Sequence, residues 1–257
     1  MLTATILRLN TLNREFYQRY AHEFDASRQY YWDGWYQLRD TLSLTAETGP
    51  RTFLDIGCGN GRFSHFLQEK CSLERVQYYG VDYAPDLLSR ATSLTPPYSS
   101  KYVEIDIISA LMSDPPTLHI QIHDQIGIDH PQFDLITLFG VFHHVPNFEL
   151  RHKLLTTLST MLSENGTLCM TTWNFLENKS WKKKIIDPVI AGITTSELEM
   201  GDYILDWHRG GVGYRYVHAF STLEIAKMIP SNLRVVSTFL ADGQDNQGNH
   251  YFILGKK

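Results

Sequence analysis

The sequence predicts an α/β fold with a mostly parallel sheet and a nucleotide-like ligand at the carboxyl ends of its strands. Three observations support this. Phe53-Leu54-Asp55-Ile56 is an apolar run that breaks into three alternate glycines, Gly57, Gly59 and Gly61, before a helical pattern begins. Tyr78-Tyr79-Gly80-Val81-Asp82 is a second apolar run. It ends in an acid about 20 residues further on, where nucleotide-binding α/β folds place a ribose ligand. Phe133-Asp134-Leu135-Ile136-Thr137-Leu138-Phe139-Gly140 is too continuous for a half-exposed strand and fits one covered on both faces.

Taken in chain order, the N-terminal segment is unusually aromatic. Phe16, Tyr20 and Phe24 fall on one helical face, which predicts a helix packed over the ligand mouth. A functional reading gives Arg28 or Trp32 a substrate contact. At the glycines the backbone can take positive φ, and with no Cβ a ligand can touch the peptide groups. The spacing G-x-G-x-G, with Asp55 two residues ahead, differs from the dinucleotide fingerprint G-x-G-x-x-G. Asp82 can accept hydrogen bonds from both hydroxyls of a ribose diol, or it can cap the helix that starts near Ala84. Lys101–Ile107 is a third short strand with Asp106 near its end.

The segment from Ile107 to Gln132 reads as an irregular insertion, because Pro115-Pro116, Gly127 and Pro131 punctuate it. His119, His123 and His130 lie within it, but without a helix to align the rings no metal site is expected. Leu154, Leu155, Leu158 and Leu162 recur at helical spacing, and Glu164-Asn165-Gly166 ends that helix. Thr167–Trp173 is the fifth strand. Val235–Leu240 and Tyr251–Leu254 close the sheet as an antiparallel hairpin, with Asn246–Asn249 as the turn.

A chain of 257 residues with 43% hydrophobic content can bury one sizeable core with a small lid, so a single domain is expected. No stretch approaches the roughly 20 apolar residues of a membrane span, and Met1–Asn10 lacks the order of a secretory signal, which predicts a soluble cytoplasmic protein. Cys58, Cys71 and Cys169 are scattered, which implies neither a disulfide framework nor zinc. A net charge of −5 argues against a chain that coats nucleic acid unaided. Trp181-Lys182-Lys183-Lys184 is either a local patch for an RNA backbone or a solvated helix face.

Asp55-Ile56-Gly57-Cys58-Gly59-Asn60-Gly61 resembles motif I of the class I S-adenosylmethionine-dependent methyltransferases. The resemblance implies a Rossmann-like seven-stranded sheet with an N-terminal helical cap and a C-terminal lid insertion, and S-adenosyl-L-methionine as cofactor. Residues 1–48 would form the cap, 49–180 the cofactor-binding core, 181–220 the lid, and 221–257 the terminal helix and hairpin. Gly57, Cys58 and Gly59 would pass under the methionine part, and Asp55 would contact its amino group. Asp82 and Tyr83 would hold the ribose and Asp106 the adenine amino group, with Ile107 flanking the ring. Phe139 ends the strand that faces the methyl group. The commoner Pro-Gly-Gly turn of the family is replaced by Glu164-Asn165-Gly166.

A narrower resemblance rests on Phe24-Asp25-Ala26-Ser27-Arg28, His143-His144, Gly201–Trp207, Arg215-Tyr216-Val217-His218-Ala219-Phe220 and Gly248-Asn249-His250-Tyr251. Together these look like the tRNA wobble-uridine methyltransferases that esterify 5-carboxymethyluridine, including the methyltransferase domain of the AlkB-homologue tRNA enzymes. This implies tRNA as substrate and a small zinc-binding partner protein like that of the related enzymes. The long 107–132 segment and His250 depart from that family. A carboxymethyl group is already ionised at neutral pH and needs no general base. Arg215 could hold it bidentately while Tyr216 and His218 orient it. A plain alternating strand is the structural alternative, with Tyr214, Tyr216 and His218 on one face and Arg215 and Val217 on the other. The other functional readings are a small-molecule O- or N-methyltransferase using His143 or His144 as base, which would lose rate below the histidine pKa, and a non-catalytic cofactor-binding scaffold.

Overall fold

A computed structural model describes residues 1–26, 30–44, 51–71, 73, 75–93, 98–243 and 245–257. Arg28 and its expected substrate contact lie outside them. The central sheet contains β1 (Arg51–Ile56), β2 (Val76–Asp82), β3 (Ser99–Glu104), β4 (Phe133–Leu138), β5 (Leu162–Trp173), β9 (Leu233–Ala241) and β10 (Asn249–Lys256). Its seven strands run in the order β3-β2-β1-β4-β5-β10-β9. β1 to β5 are parallel, and β10 is antiparallel to both β5 and β9. The strand order reverses between β1 and β4, which opens a crevice at their carboxyl ends.

Helices α4 (Arg62–Cys71) and α5 (Pro85–Ser93) follow β1 and β2, and α8 (Phe148–Thr160) joins β4 to β5. Period-two alternation divides the strands between two cores. Leu54, Ile56, Val81, Ile136 and Leu138 face the α8 side, whereas Phe53, Tyr78 and Leu135 face Trp35 and Phe66 on the other.

The 107–132 segment is not irregular. It carries α6 (Ile107–Met112) and α7 (Leu118–Ile126). Leu118, Ile122 and Ile126 recur every fourth residue and are buried in the core, and burial of that stripe outweighs the flanking prolines, which sit outside the helix, Pro115 and Pro116 before it and Pro131 after it. Gly127 ends α7 in the left-handed conformation, with φ 77°. His119 is exposed, and His123 is within hydrogen-bond reach of Asp124 and Asp129. No group of three or more potential metal ligands is found among the described residues.

Two boundaries also move. The third strand stops at Glu104, because Asp106 is already the N-cap of α6. β5 starts at Leu162, so the α8 helix ends before Glu164-Asn165-Gly166, which lies within an irregular stretch of the β4–β5 pairing. Gly166 is needed there, because a Cβ would lie 2.6 Å from the Phe133 carbonyl oxygen.

The N-terminal segment forms α1 (Thr3–Arg19), α2 (Ala21–Ala26) and α3 (Asp33–Thr41). A turn at Tyr20 interrupts the expected single face. Phe16 and Tyr20 pack on Trp207, while Phe24 packs edge-on against Tyr17. After β5, α9 (Lys179–Lys182) leads into a small antiparallel sheet of β6 (Ile185–Ile186), β7 (Asp202–Trp207) and β8 (Gly213–His218), and α10 (Thr222–Met228) returns the chain to β9. Asn13 straps α1 to β8, since its amide accepts from Tyr216 N–H at 2.8 Å and donates to the Tyr216 carbonyl at 3.2 Å. No described helix is long and apolar enough to cross a membrane.

Candidate active site

The glycine turn follows from the end of β1. Gly57 has φ 73°, and a Cβ on it would lie 1.9 Å from Val141 Cγ2, so no other residue fits. The turn is tied to β2, because Gly57 N–H and Cys58 N–H both donate to the Val81 carbonyl. This leaves a cleft of about 1180 Å³, counting its solvent-filled mouth, at the carboxyl ends of β1, β2 and β4. Asp55, Gly57, Cys58, Gly59, Asp82, Tyr83, Asp106, Ile107, Phe139 and His144 all line it. Every expected cofactor residue is therefore on its wall.

The three acids differ in environment. Asp55 is next to Thr137 in the β1–β4 register and accepts from Thr137 Oγ1 at 2.6 Å and from the Tyr78 hydroxyl at 2.5 Å. Burial pushes its carboxyl up to about 6, although both hydroxyls pull the other way. Asp82 accepts from Gly59 N–H at 2.8 Å and Ala84 N–H at 2.9 Å, so it caps the following helix and fixes the glycine turn at once. Each of its oxygens keeps a further acceptor position, so capping does not preclude a diol. Burial also raises the Asp82 carboxyl.

Asp106 is more heavily used. It accepts from Ile108 N–H, Ser109 N–H and Oγ, Asn10 Nδ2 and Arg14 Nη1. These donors fill about the four acceptor positions of a carboxylate, so an adenine amino group would have to displace one. The Cys58 thiol is held far above its usual pKa by burial, which leaves it unreactive. Phe139 lies within an aromatic set of Trp32, Trp35 and Phe63.

The residues expected to address the acceptor separate into three environments. His144 lines the cleft, and its Nδ1 donates to the Tyr216 carbonyl at 2.8 Å. Its Nε2 therefore accepts from the Tyr17 hydroxyl at 2.7 Å. Burial, with Arg215 nearby, lowers this imidazole to about 3. His143 lies behind the wall, fully buried, with its ring 4.1 Å from that of Trp173 and both nitrogens unpartnered. Burial holds it neutral as well.

Tyr216 and His218 do not reach the cleft. They belong to a buried polar cluster in which Asp202 Oδ1 accepts from the Tyr216 hydroxyl at 2.7 Å and is 2.6 Å from His218 Nδ1. Arg151 donates to Tyr216 at 2.9 Å, and both Arg151 and His218 reach Glu224.

Arg215 points from the opposite face of β8, as the strand alternation predicts. It is fully buried, and its guanidinium carbon lies 4.7 Å from the Trp173 ring centroid, 5.2 Å from Phe16, 5.5 Å from Trp207 and 5.6 Å from Trp181. Among the described residues none of its three nitrogens completes a hydrogen bond, and burial opposes its charged form, which the nearby Tyr17 hydroxyl favours.

Several wall residues lie outside the motifs that point to the site. Asn10, Asn13 and Tyr17 recur at helical spacing on α1, and Trp173 ends β5. Polar side chains on the stripe of a helix that otherwise buries Ile6, Leu9 and Phe16 are the signal that was available.

The methyltransferase-domain family matches residues 24–195. The chain belongs to that family. A protein of Haemophilus influenzae without a characterised function is 25% identical over 147 residues, which are 55% of this chain and 52% of that one, so the chain spans about half the length of this relative. Among solved structures, an S-adenosylmethionine-dependent methyltransferase of Methanosarcina mazei superposes with a TM-score of 0.59 at 15% identity, covering 84% of this chain and 96% of its own. One from Clostridium acetobutylicum gives 0.59 at 14%, covering 94% and 99%. CalS10, an amino pentose methyltransferase of Micromonospora echinaspora, gives 0.56 at 15%, covering 93% and 97%. At such identities the likeness is one of fold. The wall of this cleft suits S-adenosyl-L-methionine, the cofactor of class I methyltransferases. Two buried acids offer acceptor oxygens for an ammonium and a diol, and the glycine turn lies between them.

Proposed function

We propose that this methyltransferase esterifies a carboxylate, and that the acceptor is the carboxymethyl group of a modified wobble uridine in tRNA. Arg215 carries the reading. A buried guanidinium stays ionised, and one with no anionic partner among the described residues leaves a positive potential in a low-dielectric wall. Trp173 touches it and also lines the cleft, so an anion in front of that wall is attracted. The attraction disappears when the carboxylate becomes a neutral ester, which favours product release.

Bound S-adenosylmethionine would supply an electrophilic methyl group in the cleft. The chain's own residues would do the rest. Asp55 and Asp82 bind and orient, the aromatic set of Trp32, Trp35 and Phe139 excludes water, and His144 holds Tyr17 at the wall. No proton has to move, since the acceptor is already ionised. The small-molecule alternative needs His143 or His144 as base, but His144, near pKa 3 with both nitrogens engaged, accepts protons poorly, and His143 is fully buried behind the wall, where burial keeps its imidazole neutral.

The reading includes a small partner protein, so the assay is run with and without cell extract. Purified protein is given labelled S-adenosylmethionine and tRNA from cells lacking wobble methyl esters, followed by mild alkali. Alkali-labile label on uridine is expected. Alkali-stable label, or label entering only small molecules of the extract, would overturn the tRNA ester assignment.

A further inference from the structure

Trp32 and Trp173 line a second cavity as well as the cofactor cleft. It encloses about 920 Å³ with its mouth, between the end of β5, α9 and the β9–β10 turn. Its walls are aromatic: Trp32, Trp173, Phe175 and Trp181, with the Trp173 and Trp181 rings 5.0 Å apart and inclined at 55°. The rim is polar, with the amides of Asn174, Asn178 and Gln247 and the exposed carboxylates of Glu177 and Asp245. Asp242, deeper in, is already used by the fold, since it accepts from Gly34 N–H, Asn249 Nδ2 and the Tyr251 hydroxyl.

We propose that this second cavity is the ring pocket of the acceptor. It would hold a planar pyrimidine base against Trp173 and Trp181 while the substituent at C5 passes the Trp32–Trp173 wall toward the cofactor. The proposal rests on the reading above and assigns that substrate its place.

Three features converge. An acceptor must lie beside the cofactor cleft, and this cavity adjoins it across two shared wall residues. Indole faces stack on a base without regard to its sequence. A pyrimidine edge alternates carbonyl acceptors with an N–H donor, and the rim offers amides that serve both ways and carboxylates that accept. Exposed Lys179, Lys182 and Lys183 flank Trp181 on α9 and its end, so the sugar-phosphate backbone of a stacked base has a cationic side to follow.

The test is a titration of the full-length protein, saturated with S-adenosylhomocysteine, with the nucleoside 5-carboxymethyluridine, read by tryptophan fluorescence. Quenching is expected. Trp181→Ala should weaken the nucleoside roughly tenfold, with Trp181→Phe recovering most of the loss, because stacking and not the indole N–H is the source. Affinity for S-adenosylhomocysteine by calorimetry should stay within twofold of wild type in both variants, which shows that the fold is intact. Nucleoside affinity unchanged in Trp181→Ala would overturn the pocket. Stronger binding of choline than of the nucleoside would also overturn it, in favour of an ammonium site, since aromatic walls with carboxylates suit that group too. If tRNA is not esterified but nucleoside binding depends on Trp181, the tRNA reading fails and the ring pocket stands. If tRNA is esterified and Trp181→Ala leaves its KM within twofold, the reverse holds.

Discussion

Asp55 shows how one side chain can be constrained by both fold and ligand. Burial holds its carboxyl near 6, so below that pH it is protonated in the free protein and cannot offer a full charge to a cationic cofactor. S-adenosylmethionine affinity should therefore fall as pH drops through about 6, approaching tenfold per unit, and Asp55→Asn should bind weakly with little pH dependence. Calorimetric titration between pH 5 and 8, both rough bounds around that carboxyl, checks it. Arg215 invites a separate substitution. Removing an unpaired buried cation breaks no ion pair, so Arg215→Met should keep or raise thermal stability while methyl transfer to a carboxylate falls by about 100-fold or more. Joint loss of stability and activity would mean that the guanidinium holds the lid together instead. At this scale the sequence was informative where geometry is local. Asp55, Gly57 and Asp82 are legible because strand, turn and acid lie within one βαβ unit. Arg215 was singled out but its isolation was not, since Phe16, Trp173, Trp181 and Trp207 come from four distant segments.

Elements meet most expensively where α8, β7, β8 and α10 converge. Arg151, Asp202, Tyr216, His218 and Glu224 form one buried cluster there, and the Arg151 and Asp202 side chains are wholly inaccessible. Taking away one member of a buried pair leaves the other charge uncompensated. Asp202→Ala should cost about 3–5 kcal/mol in urea unfolding. Glu224→Ala should cost less, because its side chain is 23% exposed and water can replace it. Equal losses would show that the cluster is not anchored on Asp202. This cluster explains why Arg-Tyr-x-His reads ambiguously in sequence. The strand alternation assigns Tyr216 and His218 to one face correctly, but whether that face meets substrate or α8 depends on Arg151, a single charge within an apolar helical stripe. The α7 segment misled for the opposite reason. Its flanking prolines and glycine are conspicuous in sequence, whereas the spacing of Leu118, Ile122 and Ile126 gains its weight only from tertiary burial.

Across the whole molecule, the site joins a core whose order is written in the sequence to N-terminal helices and a small second sheet whose placement is not. The parallel strands other than β3 and the closing hairpin are readable as mainly apolar runs, whereas α1 is held at the cleft by partners from distant segments, Asn13 to β8, Asn10 and Arg14 to Asp106 and Tyr17 to His144. The two neutral histidines at that junction also set an acid limit. Their pKa values are depressed in the folded state, so the unfolded chain binds more protons below about 6.5, and stability present above that pH is lost as pH falls toward about 3. The contrast in pH profile expected between a histidine base and a carboxylate acceptor is thereby erased, because both imidazoles stay neutral over the working range. Product lability in alkali is what separates those readings. Hydrogen exchange then tests the junction itself. If the cofactor binds between the glycine turn and α1, S-adenosylhomocysteine at about 100 times its Kd adds about 2.7 kcal/mol to the native state. Amides of residues 3–19, 57–61 and 107–109 should slow, because those segments make the walls of the cleft, while the β9 edge should exchange as before. Slowing confined to the glycine turn would detach α1 from the site and leave the cap as packing alone.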